Sequence, residues 1–89
     1  MLADVAGFAE VVGFFAGLLI VAAWLPQLFR TWTTKSAKDL SLWTLLIILA
    51  GSVLWLAYGI MIENMPVIAT NTASITIVTA LVWMKVKYN

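Results

Sequence analysis

Five charged residues mark out almost the whole chain. Between Glu10 and Arg30 lie 19 residues without a charge, between Asp39 and Glu63 lie 23, and between Glu63 and Lys85 lie 21. A bilayer core of roughly 30 Å is crossed by about 20 apolar residues at a rise of 1.5 Å each. Three such runs predict three spanning helices, about 8–30, 41–62 and 66–85, and so an all-α integral membrane protein. Barrel strands alternate apolar and polar residues, and these runs do not. The composition leaves no soluble option: 64% of residues are apolar, 10% are charged and the mean hydropathy is +1.06. A soluble domain is about half apolar and a quarter charged, and small domains bury the least of their surface. At 89 residues the chain is a single three-helix unit.

The basic residues set an expected orientation. Arg30, Lys35 and Lys38 lie in the first loop, and Lys85 and Lys87 follow the third span. An odd number of spans puts these two regions on the same side, which the positive-inside rule makes the cytoplasm. The expectation is an inner-membrane, multi-pass protein with its N-terminus outside, its C-terminus cytoplasmic, and Asp4, Glu10 and Glu63 in the outer water. The opening "MLADVAGFAE" has no basic n-region, so the first span is expected to be retained rather than cleaved as a signal.

Several function classes drop out. A net charge of +1 is too small for a nucleic-acid binder. The chain has no cysteine and no histidine, which removes disulfides, thiolate chemistry, imidazole catalysis and imidazole metal sites. No acid–base or metal constellation lies within the spans, so neither an enzyme nor a cofactor or metal is expected.

Depth sorts the remaining polar and aromatic residues. Trp32, Trp43 and Trp83 fall close to the cytoplasmic charges and read as an interfacial belt. Trp55 lies seven residues from Ile62, the outer end of its span, and Asn71 lies seven residues beyond Asn64, the outer start of the next. The connection "ENMP", with Pro66 as a first-turn proline, is so short that helices two and three form an antiparallel hairpin. Trp55 and Asn71 then sit at the same depth, a little outward of the midplane. Asn71 is either a helix–helix hydrogen bond, worth about 0.6 to 2 kcal/mol, or the partner of a polar ligand. Trp55 is either a core or lipid-facing aromatic or a stacking surface. Tyr58 is either a belt tyrosine or an outer gate. Thr72, Thr76 and Thr79, and Asn71, Ser74 and Val78, form adjacent stripes that read as packing. Gly13 and Gly17 form a G-x-x-x-G pair that permits close helix approach, and Gly51 and Ser52 leave space beside Trp55. Asp39 and Ser41 are both candidate caps for helix two.

The segment "AAWLPQLFRTW" puts two liabilities into an apolar helix. Pro26 removes a backbone donor and clashes with the carbonyl of Ala22, three residues short of the predicted cytoplasmic end of span one. Gln27 needs a hydrogen-bond partner, either the carbonyl that Pro26 frees or another helix. Pro26 is a hinge beside an inner gate or a static kink, and physics alone leaves both open.

The Pro26-Gln27 pair followed by "TTKSAKDLSL" resembles the PQ-loop superfamily. With three spans, Trp55 in the second and Asn71 in the third, the chain is similar to the bacterial SemiSWEET sugar transporters. The resemblance covers nearly the whole chain. It implies a third helix packed between the first two and a parallel homodimer around a central sugar path. Trp55 and Asn71 match the sugar-contacting pair, and Pro26 the hinge proline. The implied partners are a small neutral sugar, membrane lipid and a second copy of the chain. The expected activity is a uniporter carrying mono- or disaccharides, such as glucose or sucrose, by alternating access, because no ionisable group lies inside a span to couple protons. The alternatives are a PQ-loop carrier of amino acids and a non-transporting small membrane subunit.

Overall fold

A computed structural model describes residues 2–88, with side chains from Val5 onward, so the outward placement expected for Asp4 lies outside the described side chains. It contains three α-helices and, among the described residues, no strand: α1 (Leu2–Thr34), α2 (Leu42–Met61) and α3 (Met65–Tyr88). All three are long and apolar enough to cross a membrane, and the chain is a multi-pass membrane protein. α1 begins at Leu2, not near residue 8, and runs on to Thr34. α2 is one residue shorter at each end than 41–62, and α3 extends to Tyr88 instead of stopping at 85. Hydropathy measures the part of a helix that lies in lipid. It does not register turns that continue into the interface, where charged and polar residues sustain a helix equally well.

Each turn is closed by side chains the sequence supplies. Ser41 caps α2, its hydroxyl accepting from the Thr44 N–H at 3.3 Å. The other candidate cap, Asp39, instead lies 3.4 Å from Arg30 in an exposed ion pair, an arrangement that contributes little to stability. Between α2 and α3 the chain makes a Schellman turn. The Asn64 N–H donates to Gly59 O and the Glu63 N–H to Ile60 O, with Glu63 in the left-handed region at φ 55°. Asn64 also caps the next helix, its side-chain oxygen accepting from the Val67 N–H at 3.1 Å. One residue thus ends one helix and starts another, which is why the connection can be so short. At the opposite end, Lys85 Nζ donates to the Ala37 carbonyl at 3.0 Å and ties the α1–α2 loop to α3.

The helices lie side by side in the order α1–α3–α2. α3 packs against both neighbours, and the backbones of α1 and α2 do not approach each other among the described residues. The result is a slab 52 Å long, 22 Å wide and 14 Å thick, whose length matches the roughly 50 Å of a 33-residue helix. Its core is small. Leu45, Ile77, Val78 and Leu81 are buried, with Trp24, Leu28 and Ile48 packed against them. Large apolar side chains such as Phe8, Leu19, Trp43 and Met61 are exposed, as lipid or another protein surface requires.

The two glycines of the G-x-x-x-G pair set how α1 meets α3. A methyl group on Gly13 would stand 3.0 Å from Pro66 Cβ, and one on Gly17 would collide with the Thr70 side chain. Gly17→Ala gains up to about 1 kcal/mol of helix propensity, but overpacking a tight contact costs about 1–3 kcal/mol. The variant is therefore expected to melt at lower temperature in detergent, and adding Thr70→Ala to restore part of the loss. A Gly17→Ala protein as stable as the parent would show that this contact does not hold α1 in place.

Candidate functional site

Pro26 does not interrupt α1, which continues helically through it. Its ring is exposed and projects from the face of α1 opposite to Gly13, Gly17, Ile20 and Trp24, by the 3.6-residue period. Gln27 takes neither of the partners expected for it. Its Nε2 donates to Thr31 Oγ1, one turn further along the same helix, at 3.3 Å. Thr31 is only 1% exposed, so this bond gives each polar group a partner within the helix that carries both.

A cleft of about 740 Å³ opens along one face of the slab, within the range of small-molecule sites. α3 forms its floor, and the walls are α1 on one side and α2 on the other. The periodicity of each helix builds it. α1 contributes Gly13, Gly17, Ile20 and Trp24; α2 contributes Ile48, Ser52 and Trp55; α3 contributes Pro66, Thr70, Asn71 and Ser74. Gly13 and Gly17 let α1 close against Pro66 and Thr70 along the edge of the cleft.

The hairpin register fixes the levels within the cleft. A methyl on Gly59 would lie 2.8 Å from Val67 Cγ1, so Gly59 sits beside Val67. Counting back along α2 and forward along α3 puts Trp55 level with Asn71. Both line the cleft, as the matching depths require. The Asn71 Nδ2 donates to the Val67 carbonyl at 2.8 Å, within its own helix. The interhelical bond considered for Asn71 is not made among the described residues, and its other amide hydrogen and its carbonyl oxygen stay available. Thr72 and Thr76 likewise return bonds to Ile68 O and Thr72 O.

Trp55 is 57% exposed and meets Tyr58 edge to face, with ring centroids 5.3 Å apart at 81°. Tyr58 does not line the cleft. With Trp55, Gly51 and Leu54 it borders a second hollow of about 310 Å³ on the adjoining face of α2. The structure thus brings Trp55 and Asn71 to one cleft and sets Tyr58 next to Trp55, while Pro26 and Gln27 lie just beyond the end of the cleft marked by Trp24. Sequence reasoning passed over Thr70, left Trp24 unassigned by depth, and read Ser52 only as space beside Trp55 and Ser74 only as packing. The usable signal was the repeated spacing of three on the two arms of the hairpin, Ser52 to Trp55 and Asn71 to Ser74.

The only charged side chains on the cleft among the described residues are Glu10 and Glu63, both exposed and both at the hairpin end. Past them the lining is aromatic, amide and hydroxyl. Such a surface suits a neutral ligand with apolar faces and a rim of hydrogen-bonding groups.

The chain matches the family model of the PQ loop repeat over residues 8–68. It is 33% identical over 79 residues to the sugar transporter SemiSWEET of Bradyrhizobium diazoefficiens, covering 89% of this chain and 92% of the relative. It is 32% identical over 76 residues to the sugar transporter SemiSWEET of Leptospira biflexa, covering 85% of this chain and 89% of that one. The fold superimposes with a TM-score of 0.88 and 33% identity on the crystal structure of a bacterial homologue of SWEET transporters, covering 92% of this chain and 99% of that chain.

Proposed function

We propose that this chain, which belongs to the PQ-loop family and to the SemiSWEETs within it, is a uniporter that carries mono- or disaccharides, such as glucose or sucrose, down their gradient as a parallel homodimer. The activity is transport, not catalysis. The observation that carries the reading is the cleft in which Trp55 and Asn71 stand level, past the last charged group. An indole offers a flat apolar surface to the C–H faces of a sugar ring, and a carboxamide both donates to and accepts from its hydroxyls. Trp55 and Asn71 are the sugar-binding residues in this reading.

The slab is one helix layer thick at that level, so its cleft is a wall and not a passage. A second copy related by a two-fold axis along the membrane normal closes the path and doubles every contact. Both copies obey the same distribution of basic residues, which makes the dimer parallel, with N-termini outside and C-termini in the cytoplasm of a cell with an inner membrane. The cleft then opens to the outside. It ends at Trp24 and Ile48 above the buried cluster of Leu45, Ile77, Val78 and Leu81, which acts as the inner barrier. Pro26, next to that barrier, is the hinge on which the inner end of α1 moves, with the Gln27–Thr31 bond carrying the rotation to the following turn. Tyr58, edge-on to Trp55, gates the outer side.

An amino-acid substrate is disfavoured by the charges at the rim. Glu10 and Glu63 would meet the carboxylate of a zwitterion, and no basic residue lines the cleft among the described residues to hold it. A non-transporting subunit would give no flux on its own. The purified chain in liposomes is expected to take up labelled glucose or sucrose to equilibrium. An imposed pH step is expected to leave both rate and end point unchanged, because no ionisable side chain lies at the ligand level. Accumulation above equilibrium driven by that step would overturn uniport, and absence of sugar flux would overturn the transporter reading.

A further inference from the structure

Two nearly buried hydroxyls on the cleft have no protein partner among the described residues. Ser52 on α2 and Ser74 on α3 are 8% and 7% exposed, and both line the cleft. Asn71, Thr72 and Thr76 on α3 each return a bond to the backbone four residues earlier. Neither serine does so, and neither bonds to any other group among the described residues. Every fully enclosed side-chain oxygen or nitrogen among the described residues does have a partner. The Ser52 and Ser74 hydroxyls are therefore not fully enclosed, and on the cleft they have no protein group among the described residues using their hydrogen-bonding capacity.

Their level is fixed by the hairpin. Ser52 precedes Trp55 by three residues on a helix running towards the turn, and Ser74 follows Asn71 by three on a helix running away from it. The two serines face each other one tier deeper than Trp55 and Asn71, by about 4.5 Å at the helical rise. A group that extends beyond a sugar ring lying on Trp55, with the ring hydroxyls at the height of Asn71, falls at that tier.

We infer that Ser52 and Ser74 form a second, deeper tier of the site that receives the exocyclic hydroxymethyl arm of a hexose. This inference rests on the proposed sugar-carrying function. Each serine hydroxyl supplies one donor and two acceptor positions, so the pair can both donate to and accept from a primary alcohol. A pentose of the same ring geometry has no such arm and leaves both hydroxyls unpaired. A site built to bond a hydroxyl discriminates strongly against the analogue that lacks it. The tier therefore makes the carrier prefer sugars that contain a hexose.

The test compares glucose with xylose, which is the same ring without the hydroxymethyl group. Binding of each sugar is measured on the purified full chain, together with uptake into proteoliposomes and melting. The unaltered protein is expected to bind glucose about tenfold or more tightly than xylose. The Ser52→Ala/Ser74→Ala protein is expected to lose that difference, with glucose weakened to the level of xylose and xylose changed by less than about twofold. Alanine is the best helix former, so melting is expected to hold; if the double variant does not fold, each single replacement is read in the same way. Equal affinity for the two sugars in the unaltered protein, equal losses for both in the variants, or no loss for glucose overturns this inference alone. No binding or uptake of either sugar by the unaltered protein defeats the proposed function, and the deeper tier with it.

Discussion

Replacing Trp55 and Asn71 together by alanine is expected to abolish measurable sugar uptake while leaving a folded protein. Asn71→Ala removes a donor and an acceptor at the ligand level. One lost hydrogen bond is worth about 0.5 to 1.5 kcal/mol, and in a dimer each change occurs twice, so Asn71→Ala alone is expected to weaken sugar binding roughly tenfold or more. Trp55→Ala removes the stacking surface and its edge contact with Tyr58, with an effect of similar size. Stability is expected to hold. Trp55 is more than half exposed, and the only hydrogen bond of the Asn71 side chain among the described residues returns to its own helix. The helix keeps its backbone ladder without either side chain. Equilibrium binding and proteoliposome flux, each with a melting curve, check this. A folded double variant with ordinary sugar affinity would leave both residues a purely structural role.

What the sequence disclosed, it disclosed through charge and counting. The uncharged runs bounded by Glu10, Arg30, Asp39, Glu63 and Lys85 located three spans, because lipid penalises charge far more strongly than it rewards any local pattern. The depth match of Trp55 and Asn71 was legible because the α2–α3 turn is so short: with Asn64 ending one helix and capping the next, distance along the chain translates directly into depth. Three features were not legible, each for a physical reason. The extension of α1 to Leu2 and Thr34 lies where hydropathy no longer reports on helix. The partner of Gln27 was sought at the freed Ala22 carbonyl or on another helix, when Thr31 one turn ahead was within reach. Ser74 was read as packing because membrane hydroxyls ordinarily bond back to their own helix, Ser52 was read only as space beside Trp55, and only the three-dimensional structure shows that neither hydroxyl bonds back. The G-x-x-x-G pair is a separate case. Its spacing announced a close helix approach, but the partner, Pro66 and Thr70 of the same chain, follows from α3 lying between α1 and α2.

Pro26→Ala is expected to separate stability from transport. Alanine restores an N–H that can donate to the Ala22 carbonyl, and α1 already continues helically through this position. The replacement therefore meets a helical backbone and gains up to about 3 kcal/mol of helix propensity. Melting is expected to rise. Sugar affinity is expected to stay within about twofold, because the exposed Pro26 ring projects away from the cleft, and Trp55 and Asn71 lie on other helices towards the opposite end. Flux is expected to fall about tenfold or more, the effect of about 1.4 kcal/mol added to the barrier of the inner opening step. In the proposed cycle the inner half of α1 must swing clear of Leu45, Ile77, Val78 and Leu81. An unbroken hydrogen-bond ladder resists that bend, whereas a proline has already removed one rung and weakened the helix at that turn. A proline that only sets a fixed bend gives a different pattern: binding and flux move together, and melting falls as the packing around the bend is disturbed. Binding, flux and melting on this one variant distinguish the two, and full transport by a stable Pro26→Ala protein would rule the hinge out.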